Sequence, residues 1–220
     1  DDGDAGLVTF LDFLNKGDCQ TPILGANVVP KVGVSPLTAT SATDYIQPYT
    51  IINRRFGMKI GVIGIDIASK TKNSSSPDES TLFLDETETA QKYIDELTLK
   101  GVNHIILLTH YQYRNDLKLA QNLRGVDVII GGDSHSLLGN FEELGLNSEG
   151  PYPTVVKNAD GTKVCVAQAW QYSQIVGELN IEFTNDGVVK TCKGLPHMML
   201  GDSFKRKNAD GNRVEIEGVE

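Results

Sequence analysis

Basic residues are scarce in this chain: 20 Lys and Arg stand against 29 Asp and Glu, a net charge of −9. Binding a nucleic-acid backbone needs clustered Lys and Arg to release counterions, so no nucleic-acid partner is expected. A small phosphate substrate stays open, because a bound divalent cation can reverse the local field. Long apolar runs are also missing, and none reaches the roughly 20 residues that a membrane-spanning helix needs. The opening Asp1-Asp2-Gly3-Asp4 has neither the basic nor the apolar region of a signal peptide. Cysteine is limited to Cys19, Cys165 and Cys192, with no C-x-x-C pair to suggest a metal site. Cys165 and Cys192 fall in neighbouring predicted strands and could bridge in an oxidising compartment, but buried free thiols are the favoured reading. There is no G-x-x-x-x-G-K-[ST] phosphate loop and no G-x-S-x-G nucleophile elbow. Gly57, Gly61 and Gly64 lie in or beside a strand, which argues against a dinucleotide fingerprint. What remains is ordinary globular composition, 40% hydrophobic and 22% charged over 220 residues, enough for one sizeable core.

Periodicity divides the chain into two styles. Leu7, Phe10, Leu11 and Leu14 follow helical spacing up to a stop at Gly17. The apolar stretch from Pro22 to Val29 suits a buried strand, and residues 30–46 read as irregular. Met58 to Ile67 is a β-branched run typical of a strand covered on both faces. Lys70 to Ser80 reads as a loop. A helix then starts at a capping box, Asp85 with Glu88, buries Ala90, Tyr93, Ile94 and Leu97, and ends at Gly101. Asn103 to Thr109 is a second buried strand, Asn115 to Arg124 a helix, and Val126 to Ile130 a third strand. This alternation implies a parallel α/β arrangement. Strands at Thr154–Val156, Lys163–Trp170, Ser173–Phe183 and Val188–Lys193 follow without helices, joined by turns at Asn158 to Gly161 and Asn185 to Gly187, and read as an antiparallel meander. The polar tail reads as a linker.

In open α/β sheets, ligands bind beyond the carboxyl ends of the strands. The second strand runs into His110, and the third into Gly131-Gly132-Asp133-Ser134-His135. Parallel neighbours would carry His110, Asp133 and His135 to one end of the sheet. Carboxylate with imidazole suits zinc, manganese or iron(II) better than calcium. The alternative is a shaped turn at Asp133 and Ser134, a solvated His135, and a hydrogen-bonded His110 at the core rim. Tyr111, Gln112 and Tyr113 are expected to pack that rim, Asp66 to cap a loop, and His104 and His197 to be structural.

These stretches resemble the calcineurin-like metallophosphoesterases and, within them, the 5'-nucleotidase family. The matching segments are Pro22 to Asn27, Ile60 to Ile65, Leu108-Thr109-His110, Val126 to His135, and Tyr152-Pro153-Thr154 on to Gly177. The resemblance implies a four-layer α/β/β/α sandwich, two divalent metal ions (zinc, manganese or similar) and a nucleotide substrate whose phosphate ester is hydrolysed. Pyrophosphate bonds of NAD or a UDP-sugar are alternative targets, and a non-catalytic fragment or nucleotide-binding relative is the alternative class. It makes His110, Asp133 and His135 metal ligands, with Asp133 standing where the family usually has histidine. Asp1 would be the aspartate that orients the family's catalytic histidine, so the chain would begin inside that motif. Residues 1–200 would then be the C-terminal portion of the catalytic domain, and 201–220 a linker toward a substrate-binding domain. The family implies a periplasmic or extracellular location.

Overall fold

The computed structural model describes residues 3–17, 20–201, 205–208 and 210–215. Helix α1 (Gly3–Leu14) is followed by strands β1 (Val28–Val29), β2 (Tyr49–Asn53) and β3 (Lys59–Asp66), then helix α2 (Ala68–Ser74) and strand β4 (Leu82–Phe83). Helix α3 (Glu86–Leu99), strand β5 (Ile105–His110), helix α4 (Tyr113–Asn122) and strand β6 (Val128–Gly131) come next. Strands β7 (Thr154–Lys157), β8 (Lys163–Gln168), β9 (Ile175–Phe183) and β10 (Val189–Met198) follow. A short hairpin of β11 (Lys205–Lys207) and β12 (Arg213–Glu215) forms within the segment expected to be a linker.

The centre is a six-stranded sheet in the order β2-β3-β5-β6-β8-β7. Strands β3, β5, β6 and β8 run parallel, with antiparallel β2 and β7 at the edges. The expected parallel α/β part is therefore present, but the meander divides. Strands β7 and β8 join the central sheet, while β9 and β10 form their own antiparallel pair.

Alternation along each strand explains how both faces are covered. Ile63, Ile65, Ile105, Leu107, Ile129, Val164 and Val166 pack with Ala90, Ile94 and Leu97 of α3 and Leu119 of α4. Their neighbours Ile106, Val128 and Cys165 point the other way, against Leu179, Ile181, Phe183 and Cys192 of the β9–β10 hairpin. The capping box holds at Asp85, whose side chain accepts the Glu88 N–H at 2.8 Å. The turn glycines 101, 161 and 187 all have positive φ, as the sequence reading requires.

Three local expectations change. Of Pro22 to Val29 only Val28–Val29 is strand, paired with β4; Leu24 bridges Gln47, and Ala26 donates to Gly64 at 2.8 Å. A β-carbon on Gly64 would collide with Leu24, so this segment crosses over β3 rather than extending the sheet beside it. Lys70 to Ser80, expected to be a loop, begins inside α2. In α1 only Leu11 of the apolar stripe is buried, while Leu7, Phe10 and Leu14 are exposed.

Cysteine also departs from expectation. Cys165 and Cys192 are not free thiols but a disulfide with Cα atoms 6.2 Å apart. They lie on facing layers, β8 in the central sheet and β10 in the hairpin, so the bond ties the two layers together. Cys19 and Asp1 lie outside the described residues.

Candidate functional site

Register decides which side chains meet. Parallel pairing sets Asp66 directly beside His110 at the carboxyl ends of β3 and β5, so both project from the face opposite α3 and α4. Asp66 is thus not a lone loop cap. Asn27, fully buried, pins its backbone on both sides: Asp66 N–H donates to Asn27 Oδ1 at 2.9 Å, and Asn27 Nδ2 donates to the Asp66 carbonyl at 2.8 Å. The Ile67 N–H donates to the His110 carbonyl at 3.0 Å, which fastens the start of α2 to the end of β5.

His110 stands between two carboxylates. Its Nδ1 is 3.7 Å from Asp66 Oδ1 and its Nε2 is 3.7 Å from Asp133 Oδ1. These separations exceed a hydrogen bond. Asp66 Oδ2 is buried and has no hydrogen-bond partner. Sequence reasoning missed Lys70, which α2 carries across to form an ion pair with Asp133 Oδ1. It also missed Gln112, whose Nε2 donates to Asp133 Oδ2 at 3.0 Å. The signal for Lys70 is its place in the turn directly after Asp66; for Gln112 it is its place two residues after His110.

The Asp133 side chain is only 4% exposed. Burial works against its ionisation, but the Lys70 and Gln112 hydrogen bonds and the field of His110 outweigh it and hold the carboxyl below its ordinary range. Asp133 is therefore an anion already compensated from within the chain.

The turn after β6 is held in a costly shape. Asp133 and His135 there have φ of 73 and 52°, and Gln112, at the start of α4, has 77°, a region most non-glycine residues avoid. Gln168, buried at the end of β8, clamps that turn. Its Nε2 donates to the Gly132 carbonyl at 3.1 Å, and its Oε1 accepts the Ser136 N–H. Ser134 Oγ accepts the Tyr113 N–H at 2.9 Å. Tyr113 is a core residue, 5% exposed, with its hydroxyl 2.6 Å from Thr154 Oγ1. Tyr113 thus packs as expected, while Gln112 belongs to the site.

His135 lies two residues after Asp133 on the same turn. Its ring meets Tyr172 edge-on, with centroids 5.5 Å apart. His104 packs against Phe183, and His197 lies 3.2 Å from Glu178 on the hairpin. Among the described residues no group of three His, Cys, Asp or Glu side chains is arranged to hold a metal ion. The donor chemistry fits part of a metal centre: an imidazole with both nitrogens free of hydrogen bonds, an orphaned buried oxygen on Asp66, and an anionic Asp133.

Beneath the site, Asp116 of α4 is fully buried and accepts the Thr109 hydroxyl at 2.7 Å, with its second oxygen unpartnered. A β-carbon on Gly131 would strike that oxygen, which is why the turn begins on glycine. Burial raises the Asp116 carboxyl from 3.8 to about 7, against the smaller lowering effect of Thr109. The native state therefore holds a proton that the unfolded chain has released across this window. Stability falls as pH rises from 3.8 to about 7. Asp116→Asn, neutral throughout, is expected to lose less stability than wild type over that range when melting temperature is followed against pH. Parallel curves for the two proteins would contradict this.

The same fold is shared, with a TM-score of 0.60 at 24% identity, by a calcineurin-like phosphoesterase of Bacillus subtilis. No family model matches the chain. Over 223 residues it is 38% identical to a probable 5'-nucleotidase of Treponema pallidum, covering 100% of this chain and 36% of that protein. The structure of NAD nucleotidase from Haemophilus influenzae superposes with a TM-score of 0.85 at 36% identity, over 98% of this chain and 41% of that one. A 5'-nucleotidase precursor from Thermus thermophilus gives 0.79 at 39% identity, over 90% of this chain and 36% of that one. The chain belongs to the 5'-nucleotidase family, and it spans about a third of the length of the curated relatives it matches.

Proposed function

We propose that this chain is part of a metal-dependent hydrolase that cleaves phosphate esters of nucleotides. The observation that carries the reading is the meeting of Asp66, His110 and Asp133 at one sheet end, in a chain similar over its whole length to 5'-nucleotidases. His110, Asp133 and His135 are its contribution to a dinuclear metal centre, and Asp1 is the partner of a catalytic histidine supplied by the longer protein. Bound divalent metals would polarise the phosphoryl group and make hydroxide available near neutral pH. The chain's own residues hold the acceptors in place: Asn27 fixes Asp66, Gln112 and Lys70 orient Asp133, and Gln168 fixes the turn that carries His135.

Residues 1–200 are read as the C-terminal portion of the catalytic domain and 201–220 as a connection onward. The Cys165–Cys192 bond supports a periplasmic or extracellular location, where disulfides persist. No helix among the described residues is long and apolar enough to cross a membrane.

Phosphate release from nucleoside 5'-monophosphates and from NAD, measured on the longer protein, tests this reading. Activity is expected to fall to background with a chelator and to return with Mn²⁺ or Zn²⁺. Chelator-insensitive hydrolysis would overturn it. The 220-residue chain alone is expected to be inactive.

A further inference from the structure

The Asp66 carboxylate has no assigned part in the proposed hydrolysis, yet its surroundings are built around one neighbour. Strands β3 and β5 pair in parallel with Asp66 beside His110, so the two side chains leave adjacent strand ends on one face. Both backbones are fixed there. The buried Asn27 holds the Asp66 N–H and carbonyl, and the Ile67 N–H holds the His110 carbonyl. Asp66 Oδ2 is enclosed by the chain itself and has no hydrogen-bond partner, which leaves Oδ1 to carry the interactions of this carboxylate. Among the described residues, the basic group beside Oδ1 is the His110 ring.

That ring is divided between two carboxylates. Its Nδ1 faces Asp66 Oδ1 and its Nε2 faces Asp133 Oδ1, each at 3.7 Å. The two acids are not equivalent, because Asp133 already accepts from Lys70 and Gln112. A neutral imidazole carries one N–H and one lone pair. A proton on Nδ1 gives Asp66 a donor and turns the Nε2 lone pair toward Asp133. Metal-binding histidines donate their second ring N–H to a carboxylate or carbonyl, which fixes the tautomer and strengthens the ligating nitrogen. The 3.7 Å separation falls short of a hydrogen bond by under about 1 Å, a gap that a small rotation of the exposed ring closes.

We propose that Asp66 is the positioning residue of His110: it accepts a hydrogen bond from Nδ1–H and so presents Nε2 as the metal-ligating nitrogen. This rests on the metal-centre reading above and adds the tautomer of the ligand and the residue that sets it.

The test measures Mn²⁺ affinity of the metal-free longer protein by calorimetry. Asp66→Ala is expected to weaken binding on the order of 10- to 100-fold. Asp66→Asn, whose side-chain oxygen still accepts from Nδ1–H, is expected to recover most of that loss. It also keeps the shape of the side chain, so its result stands should the alanine variant fail to fold. Were Asp66 itself a ligand, Asp66→Asn would bind as weakly as His110→Ala, and that result overturns the positioning role. In a His110→Ala background, Asp66→Ala is expected to change the affinity no further, because its effect passes through the ring; a further loss would also overturn it. Unchanged affinity in Asp66→Ala removes Asp66 alone from the scheme, whereas a wild-type protein that takes up no Mn²⁺ overturns the metal reading as a whole.

Discussion

Replacing His110 by alanine is expected to lower kcat/KM for nucleotide hydrolysis by the longer protein on the order of a thousandfold, with the fold intact. The magnitude follows from losing a Lewis-acid interaction worth several kcal/mol, since each 1.36 kcal/mol is tenfold in rate. His110 ends β5, and its imidazole is 59% exposed, so truncation leaves no cavity in the core and an unchanged melting temperature is the control. His135→Ala tests the ligand assignment more sharply, since its ring stands edge-on to Tyr172. Full activity in His135→Ala with loss in His110→Ala would remove His135 from the metal centre.

Removing the disulfide with Cys165→Ala and Cys192→Ala is expected to cost about 3.5 kcal/mol, the loop-closure entropy of a crosslink that spans 27 residues. In a chain of this size that corresponds to a fall in melting temperature of roughly 7–14 °C. The bond joins β8 to β10, so its loss loosens the hairpin from the sheet at Ile106, Val128 and Leu179. Reduction of the wild-type protein should reproduce the shift, and an unchanged melting temperature in the double variant would contradict the estimate.

The site was partly legible because its residues sit at strand ends, where an apolar run stops at a polar group. His110, Asp133 and His135 announce themselves that way, and the glycines before Asp133 mark the close turn. Asp66 ended its run in the same manner, but its partner His110 lies 44 positions away, and only strand register joins them. Lys70 was hidden by propensity: Ala68 to Ser74 has no capping side chain and reads as loop, yet packing makes it helical and aims the lysine at Asp133. Gln112 was hidden because its role depends on a positive φ that its residue type does not suggest.

The sequence by itself determined the element order around the core, the parallel centre of the sheet, the family and the strand ends that bear the polar groups. Those are properties of hydrophobic period and residue type, which act locally along the chain. Tertiary structure decided what depends on distance: that β8 lies beside β6, that Cys165 and Cys192 bridge two layers, and that Lys70 compensates Asp133 while His135 turns toward Tyr172. Burial raises the Asp116 carboxyl, while Lys70 and Gln112 hold Asp133 below its ordinary range, because the energy of a charge depends on what surrounds it and not on its neighbours in sequence.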